Sequence, residues 1–213
     1  MGKYYAILIA DDHAVVRRGL RQIFEETEEF RVVAEAANGF EVLEKVRQLS
    51  IDLVVLDISM PGKNGLDVLK QLKQEFPKLP VLILSIYGED QYAVRVLKSG
   101  ASGYLSKESA PEELVVAARK IVAGRKYVSA TLAEKLANEI GGSAVILPHE
   151  HLSDREYQVM CLIASGKTVG EIANELNLSV KTVSTYRSRL LIKMRMKNNA
   201  EITHYAIKNG LVK

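Results

Sequence analysis

Five short apolar, β-branched runs alternate with amphipathic stretches over the first 125 residues, and beyond Leu152 no such run recurs. Each amphipathic stretch has about ten residues or more, the length a chain needs to cross back over a sheet and begin a parallel neighbour. The strands read 4–10, 31–36, 52–57, 80–85 and 103–105; the helices between and after them read 14–26, 39–49, 65–76, 90–99 and 111–123. Apolar spacing at Leu132, Leu136 and Ile140 predicts a further helix over 130–140, followed by Gly141, Gly142, Ser143 and Pro148, which read as a linker. The tail divides into helices over 154–164, 169–176, 180–194 and 200–208. Ser153 and Ser179 stand at N-cap positions, and Ser153 forms a capping box with Glu156. The expected architecture is an α/β (βα)5 domain over 1–125, a partly helical linker over 126–149 and an all-α four-helix domain over 150–213.

Charge is divided unevenly between these parts. Residues 1–126 hold 18 Lys+Arg and 18 Asp+Glu, whereas residues 127–213 hold 11 and 8, so the whole surplus of +3 lies in the tail. Within it, residues 179–197 carry Lys181, Arg187, Arg189, Lys193, Arg195 and Lys197 and no acid, which rules out ion pairing inside that helix and points to a polyanion partner. The single cysteine, Cys161, can form no internal disulfide and lacks the Cys and His neighbours that zinc requires. It is expected to be a small buried hydrophobe. No signal-like N-terminal pattern and no apolar run long enough for a bilayer is visible, so a cytoplasmic protein with no membrane partner is expected.

Asp11, Asp12 and Asp57 stand at the C-terminal tips of the first and third strands. Ligands of open parallel sheets bind in the crevice outside those ends, so the three acids are expected to converge there. Clustered carboxylates repel and attract a cation; an oxygen-only set suits Mg2+, which favours one or two carboxylates plus a phosphate oxygen. The chemistry implied is phosphoryl transfer. A haloacid-dehalogenase type of phosphatase would also use a strand-end aspartate with Mg2+, but needs an acid two positions later, where Ser59 stands.

The acid pair Asp11-Asp12, Asp57 followed by Met60-Pro61 and Gly65, Ser85, Tyr104 and Lys107 together resemble a response-regulator receiver domain over about residues 5–123. The resemblance implies a flavodoxin-like fold in which Asp57 accepts the phosphoryl group. Mg2+ would be held by Asp12, Asp57 and the Ser59 backbone carbonyl, with Asp11 acting through water. Lys107 would place a fixed positive charge on a phosphate oxygen, and Ser85 a hydroxyl on another. Tyr104 would then rotate inward, carrying the event to the surface around 85–106. His13 is expected to start the first helix, its side chain near but outside the metal shell.

Leu152 to Glu156, Ala164 to Lys167, Glu171-Ile172-Ala173, Leu176, Leu178-Ser179, Lys181-Thr182-Val183, Lys193-Met194, Ala206 and Gly210-Leu211 resemble the LuxR-type helix-turn-helix of NarL/FixJ response regulators, over roughly 150–212. The resemblance makes 169–176 the supporting helix and 180–194 the recognition helix, with Ile172, Leu176, Val183, Tyr186 and Leu190 fixing their angle. Lys181, Thr182, Ser184, Thr185, Arg187 and Ser188 would meet base edges and flanking phosphates, while Arg189, Lys193, Arg195 and Lys197 would clamp the backbone. Gly170 and Tyr186 depart from the family pattern, weakening a helix start and leaving one hydrogen bond open. Ile202, Tyr205 and Ala206 of the last helix are expected either to pair two DNA-binding domains or to close the domain core. The implied function is a transcription regulator, not an enzyme beyond its own phosphoryl transfer, whose partners are a sensor histidine kinase, double-stranded DNA and a second copy when phosphorylated. The alternative is a regulator whose tail acts on protein partners or without phosphate.

Overall fold

A computed structural model describes residues 4–61, 63–86, 89–109, 111–129, 132–134 and 147–212. The chain forms two compact units that divide at Leu132/Ala133.

In the first unit, β1 (Tyr5–Ala10), α1 (Ala14–Glu25), β2 (Phe30–Ala36), α2 (Gly39–Gln48), β3 (Leu53–Asp57), α3 (Gly65–Glu75), β4 (Val81–Ser85), α4 (Glu89–Lys98), β5 (Gly103–Ser106) and α5 (Pro111–Val122) follow in order. The strands pair only in parallel, in the order β2-β1-β3-β4-β5. Because successive side chains point to opposite faces, Ile7, Ile9, Leu53, Val55, Leu82 and Leu84 meet Leu20 and Phe24 of α1 and Leu114, Ala117 and Ile121 of α5. Burial of each such Val, Leu or Ile contributes about 2 kcal/mol. Leu8, Val54, Leu56 and Ile83 point the other way and are equally buried. This two-sided burial is why the strands read as continuous apolar runs.

Local chemistry sets the helix starts. Asn38 and Asn64 cap α2 and α3 through their side-chain oxygens. Element ends fall within one residue of the sequence reading. Of the helix expected over 130–140, only 132–134 are described, and they are helical; its remainder and Gly141 to Ser143 lie outside the described residues.

The second unit opens with a 3-10 turn, Pro148–His151, followed by α6 (Asp154–Ala164), α7 (Val169–Glu175), α8 (Val180–Met194) and α9 (Asn199–Lys208). Helices α7, α8 and α9 all pack on α6, which is buried along its whole length. Cys161 is 2% exposed on that helix, a small hydrophobe as expected. Between α7 and α8 the chain turns tightly. Asn177 adopts φ 51°, a left-handed conformation that asparagine tolerates, and Ser179 caps α8 by accepting from the Thr182 N–H.

Candidate functional site

In a sheet ordered 2-1-3-4-5 the connections diverge between β1 and β3, opening a crevice at the C-terminal strand ends. Asp11 and Asp12 follow β1, and Asp57 ends β3, so both walls of the crevice carry carboxylates. Asp11 is 1% exposed and Asp57 2%. Lys107, just past β5, reaches across both: its Nζ lies 2.8 Å from Asp57 Oδ2 and 2.5 Å from Asp11 Oδ2. Burial and the Asp11 charge push the Asp57 carboxyl up, against the opposing pull of Lys107 and of the Ser59 N–H. Burial acts to lower the Lys107 ammonium, and the two carboxylates overcome it, so its pKa is raised. The ammonium therefore stays charged.

The loop holding these acids is fixed from several sides. Asp57 Oδ1 accepts the Ser59 N–H at 3.1 Å, and Asp11 Oδ1 accepts the His13 N–H at 2.8 Å. Arg17 donates from Nη1 to the Asp11 carbonyl at 2.8 Å and from Nε to Glu35 at 3.1 Å, while Arg21 holds Glu35 at 2.7 Å. Arg17 was not singled out in the sequence; its only signal is an arginine in the first turn of the helix that follows an acid pair. Gly65 is required behind Asp57, because a Cβ there would meet the Asp57 carbonyl oxygen at 2.1 Å.

His13 stands at the N-cap position of α1 without a side-chain cap hydrogen bond, and its ring lies near the acids, as expected. Nδ1 lies 2.8 Å from Asp12 Oδ1 and 3.4 Å from Asp11 Oδ1. Among the described residues, Asp11, Asp12 and His13 bring one ligand atom each within 4.8 Å of one another, and Asp57 joins them through Lys107.

Ser85, fully buried at the end of β4, pairs with Ser106, and its carbonyl accepts the Lys107 N–H at 2.8 Å. A shift of the β4 end would therefore move the lysine backbone. Tyr104 lies opposite Ile83 and is fully buried. In this structure its ring lies within the fold. Tyr87 and Gly88, inside the expected moving surface, lie outside the described residues.

In the second unit, Lys181, Ser184, Thr185, Ser188, Arg189 and Ile192 form one exposed stripe along α8, at the spacing of one helix face. Thr185 and Ser188 donate their hydroxyls back to the carbonyls of Lys181 and Ser184, leaving oxygen lone pairs outward. Thr182 is half-buried and tied to Ser179, so it borders the stripe.

Residues 7–119 match the response regulator receiver domain, and residues 150–206 match the luxR family of bacterial regulatory proteins. Response regulator UvrY of Escherichia coli K12 is 37% identical over 206 residues, covering 96% of this chain and 94% of its own. RcsB from Salmonella enterica serovar Typhimurium, bound to promoter rprA in the presence of phosphomimetic BeF3-, superposes with a TM-score of 0.64 at 27% identity, covering 95% of this chain and 98% of its own. A structure of two RcsB dimers bound to two parallel DNAs gives 0.61 at 28% identity over the same shares. The chain belongs to the response regulators.

In this response regulator several residues are committed differently from their sequence reading. Lys193 is not a free backbone clamp: it donates to Glu156 of α6 at 2.6 Å, and Glu156 is 3% exposed. Arg187 is half-buried and donates to Asn199 at 2.7 Å, whereas Arg189, Arg195 and Lys197 are exposed. Ile202 and Ala206 are fully buried against the domain's own helices, so of the two expected roles they close the core and are not available as a pairing surface. Tyr205 is half-buried, its hydroxyl 2.8 Å from His149 Nδ1 of the 3-10 turn. Gly170 is exposed, and the helix start it weakens is secured by a Thr168–Glu171 capping box that the sequence reading passed over. Tyr186 is half-buried beside the stripe. Among the described residues no helix is long and apolar enough to cross a membrane.

Proposed function

We propose that this response regulator accepts a phosphoryl group on Asp57 from a sensor histidine kinase and, as a homodimer, binds double-stranded DNA through α8 to regulate transcription in the cytoplasm. The observation carrying the first half is the Lys107 ammonium shared by two buried carboxylates, Asp11 and Asp57. An Asp57 carboxylate oxygen attacks phosphorus, an O–P bond forms, and the donor's bond to phosphorus breaks as its leaving group takes a proton. Lys107 is placed to neutralise an oxygen of the transferred group, and the Ser59 N–H orients the acceptor carboxylate. The chain has no role as an enzyme beyond this transfer and the later hydrolysis of the acyl phosphate, in which water takes the phosphoryl group and Asp57 is regenerated.

The residues fit Mg2+. Two buried carboxylates share one ammonium with Asp12 beside them, burial and the Asp11 charge hold the Asp57 carboxyl up, and the donors are hard oxygens with one imidazole nearby. Asp11, Asp12, Asp57 and the Ser59 carbonyl would hold the ion. When bound, it supplies positive charge to the phosphoryl oxygens. Ser85 and Tyr104 are the proposed reporters of the event, Ser85 through its carbonyl link to Lys107.

For DNA, the stripe of Lys181, Ser184, Thr185, Ser188 and Arg189 would face the major groove, with Arg195 and Lys197 on phosphates. RcsB, a relative in fold and sequence, is described with promoter DNA and as dimers on DNA. With Ile202 and Ala206 already buried, Ile207, 56% exposed on α9, is the apolar side chain left for a second copy to cover. Incubation with a small phosphodonor and Mg2+ should label the wild type and leave Asp57→Asn unlabelled. Equal labelling would remove Asp57 from its role. Gel shift with promoter DNA should strengthen on phosphorylation, whereas no retardation at low salt in either state would favour a tail that acts on protein partners.

A further inference from the structure

At the opposite pole of the first unit from the acids, a cleft of about 350 Å³ lies among the ends of α3 and α5 and the starts of β4 and β5. Lys73, Lys78, Arg125 and Lys126 line it, and no carboxylate does. We propose that this cleft binds a small anion carrying two linked phosphate groups, of the size of a nucleoside diphosphate or smaller.

Four cations gathered in one concavity with no acid among its lining residues carry the inference, where many other cations of the unit are neutralised by a carboxylate. Arg17 and Arg21 pair with Glu35, Lys45 with Glu41, Arg47 with Glu75, Arg119 with Glu29, and Lys107 with Asp11 and Asp57. Among the described residues the four cations of the cleft meet no carboxylate. Two of them are anchored instead of free to disperse: Lys73 donates to the Leu79 carbonyl at 2.5 Å and Lys126 to the Ala101 carbonyl. Like charges held near one another by neutral acceptors repel, and a bound anion relieves that repulsion. Burial, with the added repulsion of Lys126, lowers the Lys73 ammonium, as such a cluster requires.

The cleft also offers a neutral donor. Ser102 Oγ accepts the Val81 N–H at 3.3 Å, which leaves its own proton for a ligand. Gly100, at φ 99°, keeps the floor open, because a side chain there would be strained and would meet the Lys73 stem at 3.1 Å. A concave volume of this size suits a small molecule, whereas a nucleic-acid backbone would favour a convex stripe such as that on α8.

The test is titration of the full chain with inorganic pyrophosphate in a magnesium-free, low-chloride buffer, by calorimetry and by amide chemical shifts. Binding should move the amides of Gly100, Ser102 and Gly124. It should weaken about tenfold in the variant Lys78→Gln/Arg125→Gln/Lys126→Gln, which loses three exposed charges. Arg125→Gln alone, a milder change, should weaken it by a smaller factor. Orthophosphate should bind more weakly than pyrophosphate. Promoter-DNA retention by the triple variant should match the wild type. The proposal is overturned if pyrophosphate does not bind, if the variants bind it like the wild type, if the shifts fall at Asp11 and Asp57, or if the triple variant loses DNA and keeps pyrophosphate.

Discussion

The acidic crevice and the face of α8 use charge in opposite ways. In the crevice, charges are buried and mutually committed: Asp11 and Asp57 share one ammonium, and Arg17 locks the loop from behind. Along α8 Lys181 and Arg189 are exposed, in a stretch free of acids over 179–197, and supported by a helix whose other side is core. A buried charge that loses its partner costs several kcal/mol, whereas an exposed one costs little until a polyanion arrives. The first region is thus preorganised for one reaction at one atom, and the second for adjustable affinity.

That contrast can be broken at its strongest point. Lys107→Ala should leave two buried carboxylates without their ammonium and destabilise the first unit by about 3 kcal/mol in urea denaturation with chelator present. A loss as small as that of a surface lysine would mean the crevice is not a committed charge network. Gly65→Ala tests its shape rather than its charge. With the Asp57 carbonyl oxygen 2.1 Å from the new Cβ, backbone must move, at a cost of about 2 kcal/mol and with slower phosphorylation.

On the other side, Arg189→Ala should leave the melting temperature unchanged. It should weaken promoter binding by about 1 kcal/mol and reduce the slope of log affinity against log salt by about one. A large thermal loss would place Arg189 in the fold. Lys193 joins the two behaviours, being half exposed yet bound to buried Glu156. Burial raises the Glu156 carboxyl, but Lys193 and the Ser153 N–H and hydroxyl outweigh it, so it sits below the ordinary carboxylate range. A folded value below the unfolded one gives stability that is present above the unfolded range and lost as pH falls through the folded value. Lys193→Met should therefore cost about 1 kcal/mol near neutral pH, after allowance for solvent screening, and the difference from wild type should close below about pH 4.

Much of this was legible in the chain alone. Strand runs, helix periods and the caps Ser153 and Ser179 are local, depending on residues within a few positions of one another, and the helices 154–164 and 180–194 were read with the bounds observed. The strand-end positions of Asp11, Asp12 and Asp57 followed from the same local reading once a parallel sheet was inferred.

Contacts between distant segments were decided only in three dimensions. Nothing near Lys193 announces Glu156, 37 positions earlier, and no pattern around Lys107 shows that it serves Asp11 as well as Asp57. Ile202 and Ala206 are apolar at helical spacing whether they meet a second copy or their own α6, and their complete burial chooses the latter. The inward Tyr104 and the acid-free cleft at Lys73 and Lys126 depend likewise on which element lies opposite which. Periodicity and strand ends are properties of a segment, so the order of residues determines them; the partner of a charge or of an apolar face is a property of the packed whole.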